Sequence, residues 1–207
     1  MKKIIVAGCL IFVSLVMVYS GERKTYSFND FGQNNSAQTK NADCSDGWRI
    51  TGYFTPLESD YNSPERHEIE IAEGGKFTFN EEFLKVVFDE NEGFGEGWGK
   101  TRFGWYLGNY NGRWHKADAP LDANNSPLET NSVAVDNQVI PTDSIVKIPG
   151  LPDDYGTKKF IANDVGVTVH GKHIDVYTGE GKDAEQEMYR ITFEDDDLQK
   201  VCFQKSE

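Results

Sequence analysis

Three aspartates in the C-terminal half of the chain interrupt or end otherwise apolar stretches. Asp136 and Asp164 each follow a short apolar run, and Asp175 lies between Ile174 and Val176. A carboxylate is costly at such a position unless it is paired or functional. If the three groups converge on one cleft, burial and mutual repulsion raise the pKa of at least one, which then supplies a proton donor near neutral pH. The alternative is that they are turn or edge residues facing water, and the pattern alone does not separate the two.

The elements that position these aspartates are predicted to be short strands. Strand patterns occur at 132–136, 145–148, 159–163, 165–170 and 173–177, and turn residues separate them. Alternation within the last of these places Asp175 on one face with His173 and Tyr177. A helix is predicted only at Asn80–Asp89, where Asn80 can act as the N-cap. Many short strands and one helix favour a β-barrel or a β-sandwich.

The stretch 93–114 combines glycines with aromatic residues and follows neither a helical nor a strict strand period. Aromatic rings on glycine-rich loops can stack on the apolar faces of sugars. Ordinary packing beneath a small barrel explains the same composition, and this alternative stays open. The aromatic residues concerned are Phe94, Trp98, Phe103, Trp105, Tyr106, Tyr110 and Trp114.

Three segments carry a resemblance to a known family. They are TGYFTP (51–56), VAVDNQVIP (133–141) and NDVGVTVHGKHIDVYTGEG (163–181). Together they resemble the three-aspartate (3D) domain, especially in the form found in membrane-bound lytic murein transglycosylase A. The resemblance extends over roughly residues 49–190 with a divergent middle, and the order and spacing of the three aspartates match the family.

The resemblance implies a mainly β fold, a six-stranded double-psi β-barrel with a loop-rich insertion around 74–131 that contains one short helix. It also implies that Asp175 is the catalytic acid/base and that Asp164 and Asp136 support it. The implied reaction is cleavage of the β-1,4 bond between N-acetylmuramic acid and N-acetylglucosamine in peptidoglycan, with closure of a 1,6-anhydro ring and no cofactor. We assign substrate binding to motif residues and to aromatic residues of the insertion: Tyr53, Thr55, Trp98, Trp105, Trp114 and Tyr177.

The chain departs from the family pattern close to Asp164. Val167 replaces the second glycine of the Asp-x-Gly-Gly motif, and His170 replaces a basic residue. These differences concern the shape of the cleft and leave the three carboxylates in place. Two other functions therefore stay open, a non-catalytic glycan-binding barrel and a hydrolase of β-1,4-linked glycans. His170 and His173 form an H-x-x-H pair, which we interpret as ordinary loop histidines because no clear set of further metal ligands accompanies them.

The N-terminus predicts export. Lys2 and Lys3 precede an apolar run at 4–19, a layout typical of a signal peptide at 1–20, with an uncleaved membrane anchor as the alternative. Residues 21–42 are polar and predict a flexible linker, so the folded domain is expected at 43–207. The predicted location is the periplasm or the extracellular cell wall. The membrane would be contacted only through the N-terminal segment.

The charge and the cysteines limit the partners and the compartment. A net charge of −13 repels phosphate backbones, so nucleic acid is excluded as an expected partner, and glycan strands of peptidoglycan remain. Cys9 lies within the predicted signal peptide. Cys44 and Cys202 lie near opposite ends of the remaining chain, and in an oxidising compartment they are expected to form a disulfide.

Overall fold

The computed structural model describes residues 42–194 and 196–205 of the 207-residue chain. The described residues form eleven strands and two α-helices. In chain order these are β1 (Asp43–Thr55), β2 (Arg66–Glu70), β3 (Lys76–Asn80), α1 (Glu81–Val87), β4 (Trp98–Lys100), β5 (Tyr106–Tyr110), β6 (Arg113–Ala117), β7 (Ser132–Val135), β8 (Ile145–Lys147), β9 (Phe160–Asp164), β10 (His173–Glu180), α2 (Gly181–Ile191) and β11 (Gln199–Gln204).

Six strands close into a barrel in the order β1-β10-β7-β9-β8-β11. The pairs β1/β10 and β7/β9 are parallel, and the other four pairs are antiparallel. A closed barrel leaves no long unpaired sheet edge, which suits strands as short as β7 and β8. The expected six-stranded β-barrel is therefore confirmed.

Alternation along β10 separates the barrel core from the face that carries polar groups. Ile174 and Val176 are fully buried in the core, where they pack with Trp48 and Ile50 of β1. Asp175 lies between them and points to the opposite side of the sheet. This alternation agrees with the predicted face of Asp175, which is opposite to that of Ile174 and Val176.

The insertion between β1 and β7 is more ordered than a loop-rich segment. It contains the β2–β3 hairpin, α1 and the three-stranded sheet β4-β5-β6, and it has a hydrophobic core of its own. The helix prediction is confirmed, and the Asn80 side chain accepts the Phe83 N–H at its start. Much of the stretch 93–114, which was described from the sequence as glycine-rich loops, forms β4, β5 and the start of β6. Its strands show no strict alternation because glycine occupies positions where a neighbouring side chain approaches closely. A Cβ on Gly99 would lie 2.6 Å from Phe83, and one on Gly108 would lie 2.6 Å from Trp98.

Two further elements differ from the prediction. The strand predicted at 165–170 is a loop, and Val167 at its centre is 68% exposed. The predicted single helix is joined by α2, whose sequence is mostly polar and buries little beyond Ala184 and Ile191. Ala184, Met188 and Ile191 do recur at helical spacing, but α2 contains so few apolar residues that the sequence analysis did not recognise this pattern.

Cys44 and Cys202 form a disulfide, with their Cα atoms 4.1 Å apart in the antiparallel pairing of β1 with β11. Within the described part of the chain, no helix is long and apolar enough to cross a membrane. The predicted signal peptide at 1–20 and linker residues 21–41 lie outside the described residues.

Candidate active site

The candidate site lies where β1 and β10 run side by side in parallel. Their register places Thr51 beside Asp175 and Tyr53 beside Tyr177. Partners in a parallel pair point to the same side of the sheet, so these four side chains share one face. The TGYFTP segment and the strand of the third aspartate, which are distant in sequence, are thereby brought together.

Asp175 is the most deeply placed of the three aspartates. Burial raises its pKa to about 6, and the nearby charge of Asp164 adds to the rise. The contact with Thr51 and the charge of Arg49 act in the opposite direction. The Thr51 hydroxyl lies 2.8 Å from Oδ1 of Asp175. A carboxyl group with a pKa near 6 can hold a proton close to neutral pH and release it during a reaction.

Asp164 lies on the same face, two strands away. Ala134 of β7 pairs with Asp175 on one side and with Asp164 on the other, so the two aspartates occupy register positions on either side of Ala134. The Tyr53 hydroxyl donates a hydrogen bond of 2.6 Å to Oδ2 of Asp164. Burial raises the pKa of Asp164 to about 6, and the bond from Tyr53 limits the rise. The carboxyl groups of Asp164 and Asp175 therefore share one site, and the negative charge of either makes ionisation of the other less favourable.

The rings of Tyr53 and Tyr177 pack against each other next to the aspartates. Their ring centroids are 5.2 Å apart, and the hydroxyl groups of Tyr177 and Thr55 are 2.8 Å apart. Both tyrosines and Thr55 are buried. Packing and hydrogen bonds therefore hold these rings in place beside Asp175.

Asp136 occupies a different environment. Its Oδ2 accepts the Gly171 N–H at 2.8 Å, and its Oδ1 accepts the Gln138 N–H at 3.0 Å. These backbone donors stabilise the carboxylate and hold the pKa of Asp136 below its usual range. Gly171 lies two residues before β10, so Asp136 fixes the turn that leads into the strand of Asp175.

The predicted substrate-binding tryptophans are buried. Trp98 packs in the cluster that contains Tyr53 and Tyr177, which places it next to the site. Trp105 and Trp114 belong to the separate core of the insertion, and each is only 8% exposed. Their location in that separate core, in a different cluster from Tyr53 and Tyr177, favours a packing role over contact with a substrate at Asp175.

Two site residues were missed by the sequence analysis. His173 is buried, and its Nε2 lies 2.8 Å from the Thr51 hydroxyl. Alternation had placed it on the face of Asp175, but the H-x-x-H pattern directed attention to metals. Glu96 accepts the Phe54 N–H at 2.9 Å, and burial raises its pKa to about 8. Glu96 lies between Gly95 and Gly97 in the sequence, and nothing in this context indicates that it is buried.

The H-x-x-H pair does not act as a unit in the fold. His170 is exposed in the loop before β10, whereas His173 is buried at the start of that strand. Within residues 42–194 and 196–205, no group of three or more histidine, cysteine or acidic side chains is arranged to hold a metal ion.

The model of the 3D domain family matches residues 131–191, a segment that contains Asp136, Asp164 and Asp175. This segment is therefore similar to 3D domains. No curated protein sequence matches this chain significantly.

Beyond the 3D domain, the fold is similar to solved lytic transglycosylases. The structure of Escherichia coli MltA with bound chitohexaose has a TM-score of 0.51 and 16% identity, and the match covers 78% of this chain and 73% of that one. A membrane-bound lytic murein transglycosylase from Agrobacterium tumefaciens has a TM-score of 0.49 and 12% identity, with coverage of 79% and 76%. At these identities the likeness to E. coli MltA shows a shared fold, with the 3D domain inside it.

Proposed function

We propose that this protein is an exported lytic transglycosylase that cleaves the β-1,4 bond between N-acetylmuramic acid and N-acetylglucosamine in peptidoglycan. The observation that carries the proposal is Asp175, a carboxyl group whose pKa is raised to about 6 on the shared face of β1 and β10. The match of residues 131–191 to the 3D domain family and the fold shared with E. coli MltA support the same function.

A single carboxyl group can serve both steps of this reaction. Asp175 donates its proton to the glycosidic oxygen, and the bond to the anomeric carbon breaks. The resulting carboxylate takes the proton of the C6 hydroxyl, whose oxygen closes the 1,6-anhydro ring on the anomeric carbon. Asp175 is thus reprotonated by the substrate, the first proton leaves on the released hydroxyl group, and no water is consumed, unlike in hydrolysis by two carboxyl groups.

The surrounding residues have distinct roles in this mechanism. Asp164 helps to keep a proton on Asp175 through its nearby charge, and Tyr53 holds Asp164 in place by a hydrogen bond. Asp136 acts on the backbone at Gly171 and so positions the start of β10. Asp175 is therefore the proposed catalytic acid/base, and the other two aspartates are supporting residues.

The proposed partner is a glycan strand of peptidoglycan. The E. coli MltA structure contains chitohexaose, which favours a glycan ligand for a chain with the same fold. Among the predicted substrate-binding residues, Tyr53 and Tyr177 share the face of Asp175. The Thr55 hydroxyl contacts that of Tyr177, and Trp98 packs in the same cluster as the two tyrosines, so these four residues fit the role best. We further propose that residues 1–20 direct export, that residues 21–42 form a linker and that residues 43–207 form the catalytic domain.

Digestion of purified sacculi followed by mass spectrometry tests the proposal. The protein is expected to release 1,6-anhydro-muropeptides, and Asp175→Asn is expected to reduce their formation by at least about a thousandfold, because general acid and base catalysis are both lost. Asp118→Asn, a substitution at an exposed position of the insertion, is the matched control and keeps activity.

Each alternative function gives a different product. Reducing-end muropeptides would identify a hydrolase. Binding to sacculi without any product would identify a non-catalytic glycan-binding barrel. Full activity in Asp175→Asn would remove Asp175 from the mechanism.

A further inference from the structure

The Thr51 hydroxyl stands between two titratable groups. Its oxygen lies 2.8 Å from Oδ1 of Asp175 and 2.8 Å from Nε2 of His173. A hydroxyl group carries one hydrogen and can donate to only one of these partners at a time. The other contact is a hydrogen bond only if that partner donates to the Thr51 oxygen.

His173 has a second contact that bears on its tautomer. Its Nδ1 lies 3.3 Å from the carbonyl oxygen of Thr168. A carbonyl oxygen can only accept, so Nδ1 must carry a hydrogen for this contact to be a hydrogen bond. In the neutral imidazole, Nε2 is then the acceptor.

These two requirements together determine the direction of the whole chain of contacts. Toward an ionised Asp175 the Thr51 hydroxyl donates to Oδ1. If Nε2 of His173 accepts the Thr51 hydrogen instead, Thr51 can only accept from a protonated Asp175. All three contacts are then satisfied only when Asp175 carries a proton. An imidazolium facing a carboxylate would also satisfy them, but burial disfavours two charges in place of none. His173 is only 7% exposed.

We propose that His173 is a positioning residue that turns the Thr51 hydroxyl away from Asp175 and so keeps Asp175 in its proton-donating form. This inference rests on the proposed function, since it assigns His173 and Thr51 to the control of the catalytic acid. His173 and Thr51 themselves neither gain nor lose a proton in this cycle. When Asp175 gives its proton to the leaving oxygen, the Thr51 hydrogen turns from Nε2 to the new carboxylate. When the C6 proton arrives on Asp175, the hydrogen turns back.

Other charged groups also act on Asp175 and have to be kept constant in any test. Asp164 on β9 disfavours its ionisation, and Arg49 on β1 favours it. Glu96 of the insertion is close enough for its own pKa to be raised by the charge of Asp175. Substitutions at Thr51 and His173 leave all three in place, so a change in the titration of Asp175 reports on the chain of hydrogen bonds.

The first test uses the unaltered protein. Nitrogen-15 NMR of His173 and carbon-13 NMR of the Asp175 carboxyl group, recorded at pH 5, report where the protons lie. The proposal expects hydrogen on Nδ1, none on Nε2, and a protonated Asp175. A protonated Nε2 beside an ionised Asp175 would overturn it. Neither measurement needs a substrate, so its outcome is independent of whether sacculi are cleaved, and failure of the proposed function would show in the digestion instead.

The second test uses a double-mutant cycle read by the titration of Asp175. His173→Phe removes the acceptor, so the Thr51 hydroxyl turns permanently to the carboxylate and the pKa of Asp175 falls by about one unit. In a Thr51→Val background the same substitution is expected to change nothing. Thr51→Ser keeps a hydroxyl and keeps the full response to His173→Phe. An unchanged pKa in His173→Phe, or an equal shift in both backgrounds, would show that His173 does not act through Thr51.

Matched controls separate this effect from general damage. His67→Phe and Thr78→Val alter exposed residues of the β2–β3 hairpin, and neither is expected to move the pKa of Asp175. If His173→Phe does not fold, His173→Leu provides the same loss of an acceptor with a smaller side chain.

Discussion

The backbone N–H of Phe54 donates a hydrogen bond to Oε2 of Glu96 at 2.9 Å, and this bond joins β1 of the barrel to the insertion. β1 pairs with β11 only as far as Trp48, so its later N–H groups on that side need other acceptors. Thr192 supplies one for Gly52 at 3.0 Å, and Glu96 supplies the other. A side chain of the insertion thus completes the sheet beside the candidate site.

Glu96→Gln is predicted to make the protein more stable in alkaline solution. Burial raises the pKa of Glu96 to about 8, above its usual value, so the folded state holds a proton that the unfolded chain releases at lower pH. The wild type therefore loses stability as the pH rises from about 4.5 to about 8, whereas glutamine stays neutral and still accepts the Phe54 N–H. Thermal melting curves should coincide near pH 4 and separate at pH 8.5. Glu129→Gln is the exposed control, and a constant difference across pH would contradict the prediction.

Tyr53→Phe is predicted to move the pH dependence of catalysis. Loss of the hydroxyl removes a hydrogen bond from the carboxylate of Asp164, so the pKa of Asp164 rises by about one unit. A more often neutral Asp164 repels the Asp175 carboxylate less, and the pKa of Asp175 falls. The alkaline limb of the pH profile of kcat/KM should shift to lower pH. Tyr110→Phe, which alters an exposed ring, should leave the profile unchanged.

Gly52→Ala is predicted to loosen α2 from the barrel. A Cβ at this position would lie 3.1 Å from Cα of Met188 and 3.2 Å from Cδ1 of Ile191. Overpacking of this kind costs about 1–3 kcal/mol, which denaturant unfolding would measure. Ile191→Val removes the Cδ1 atom, so the double variant should recover part of the loss. If the two costs simply add, the contact with Cδ1 of Ile191 is not the cause of the loss.

Trp105→Phe is predicted to lower stability and leave glycan affinity unchanged. The indole is buried in the core of the insertion and packs edge-on against Phe77 and Phe79. The smaller ring leaves a cavity, so we expect a loss of about 1–3 kcal/mol. Affinity of the folded variant for chitohexaose would be measured by calorimetry. A weaker affinity with unchanged stability would restore the stacking role expected from the sequence.

The predictable parts of the fold and site are those with strong local signals. The alternation of Ile174, Asp175 and Val176 indicated the face of the aspartate, and the cap at Asn80 indicated α1. The six-stranded barrel came from family resemblance, because strand order depends on pairings between distant segments. Neither source indicated α2, whose exposed surface is polar.

The missed site residues depend on contacts across the fold. Glu96 becomes a buried acid only because the open side of β1 needs an acceptor at Phe54. His173 belongs to the site because its ring contacts Thr51, which is 122 positions away in sequence. The buried tryptophans of the insertion were interpreted as sugar-stacking candidates because composition does not reveal which side of a ring is covered.

The disulfide between Cys44 and Cys202 also determines how the domain responds to mechanical load. It joins the first and the last strand of the barrel and encloses 158 positions of chain. A pulling force applied between residues before Cys44 and residues after Cys202 passes through the sulfur atoms. The strands that carry Thr51, Asp164 and Asp175 lie within the closed loop, so tension on the ends of the domain would not be transmitted along them.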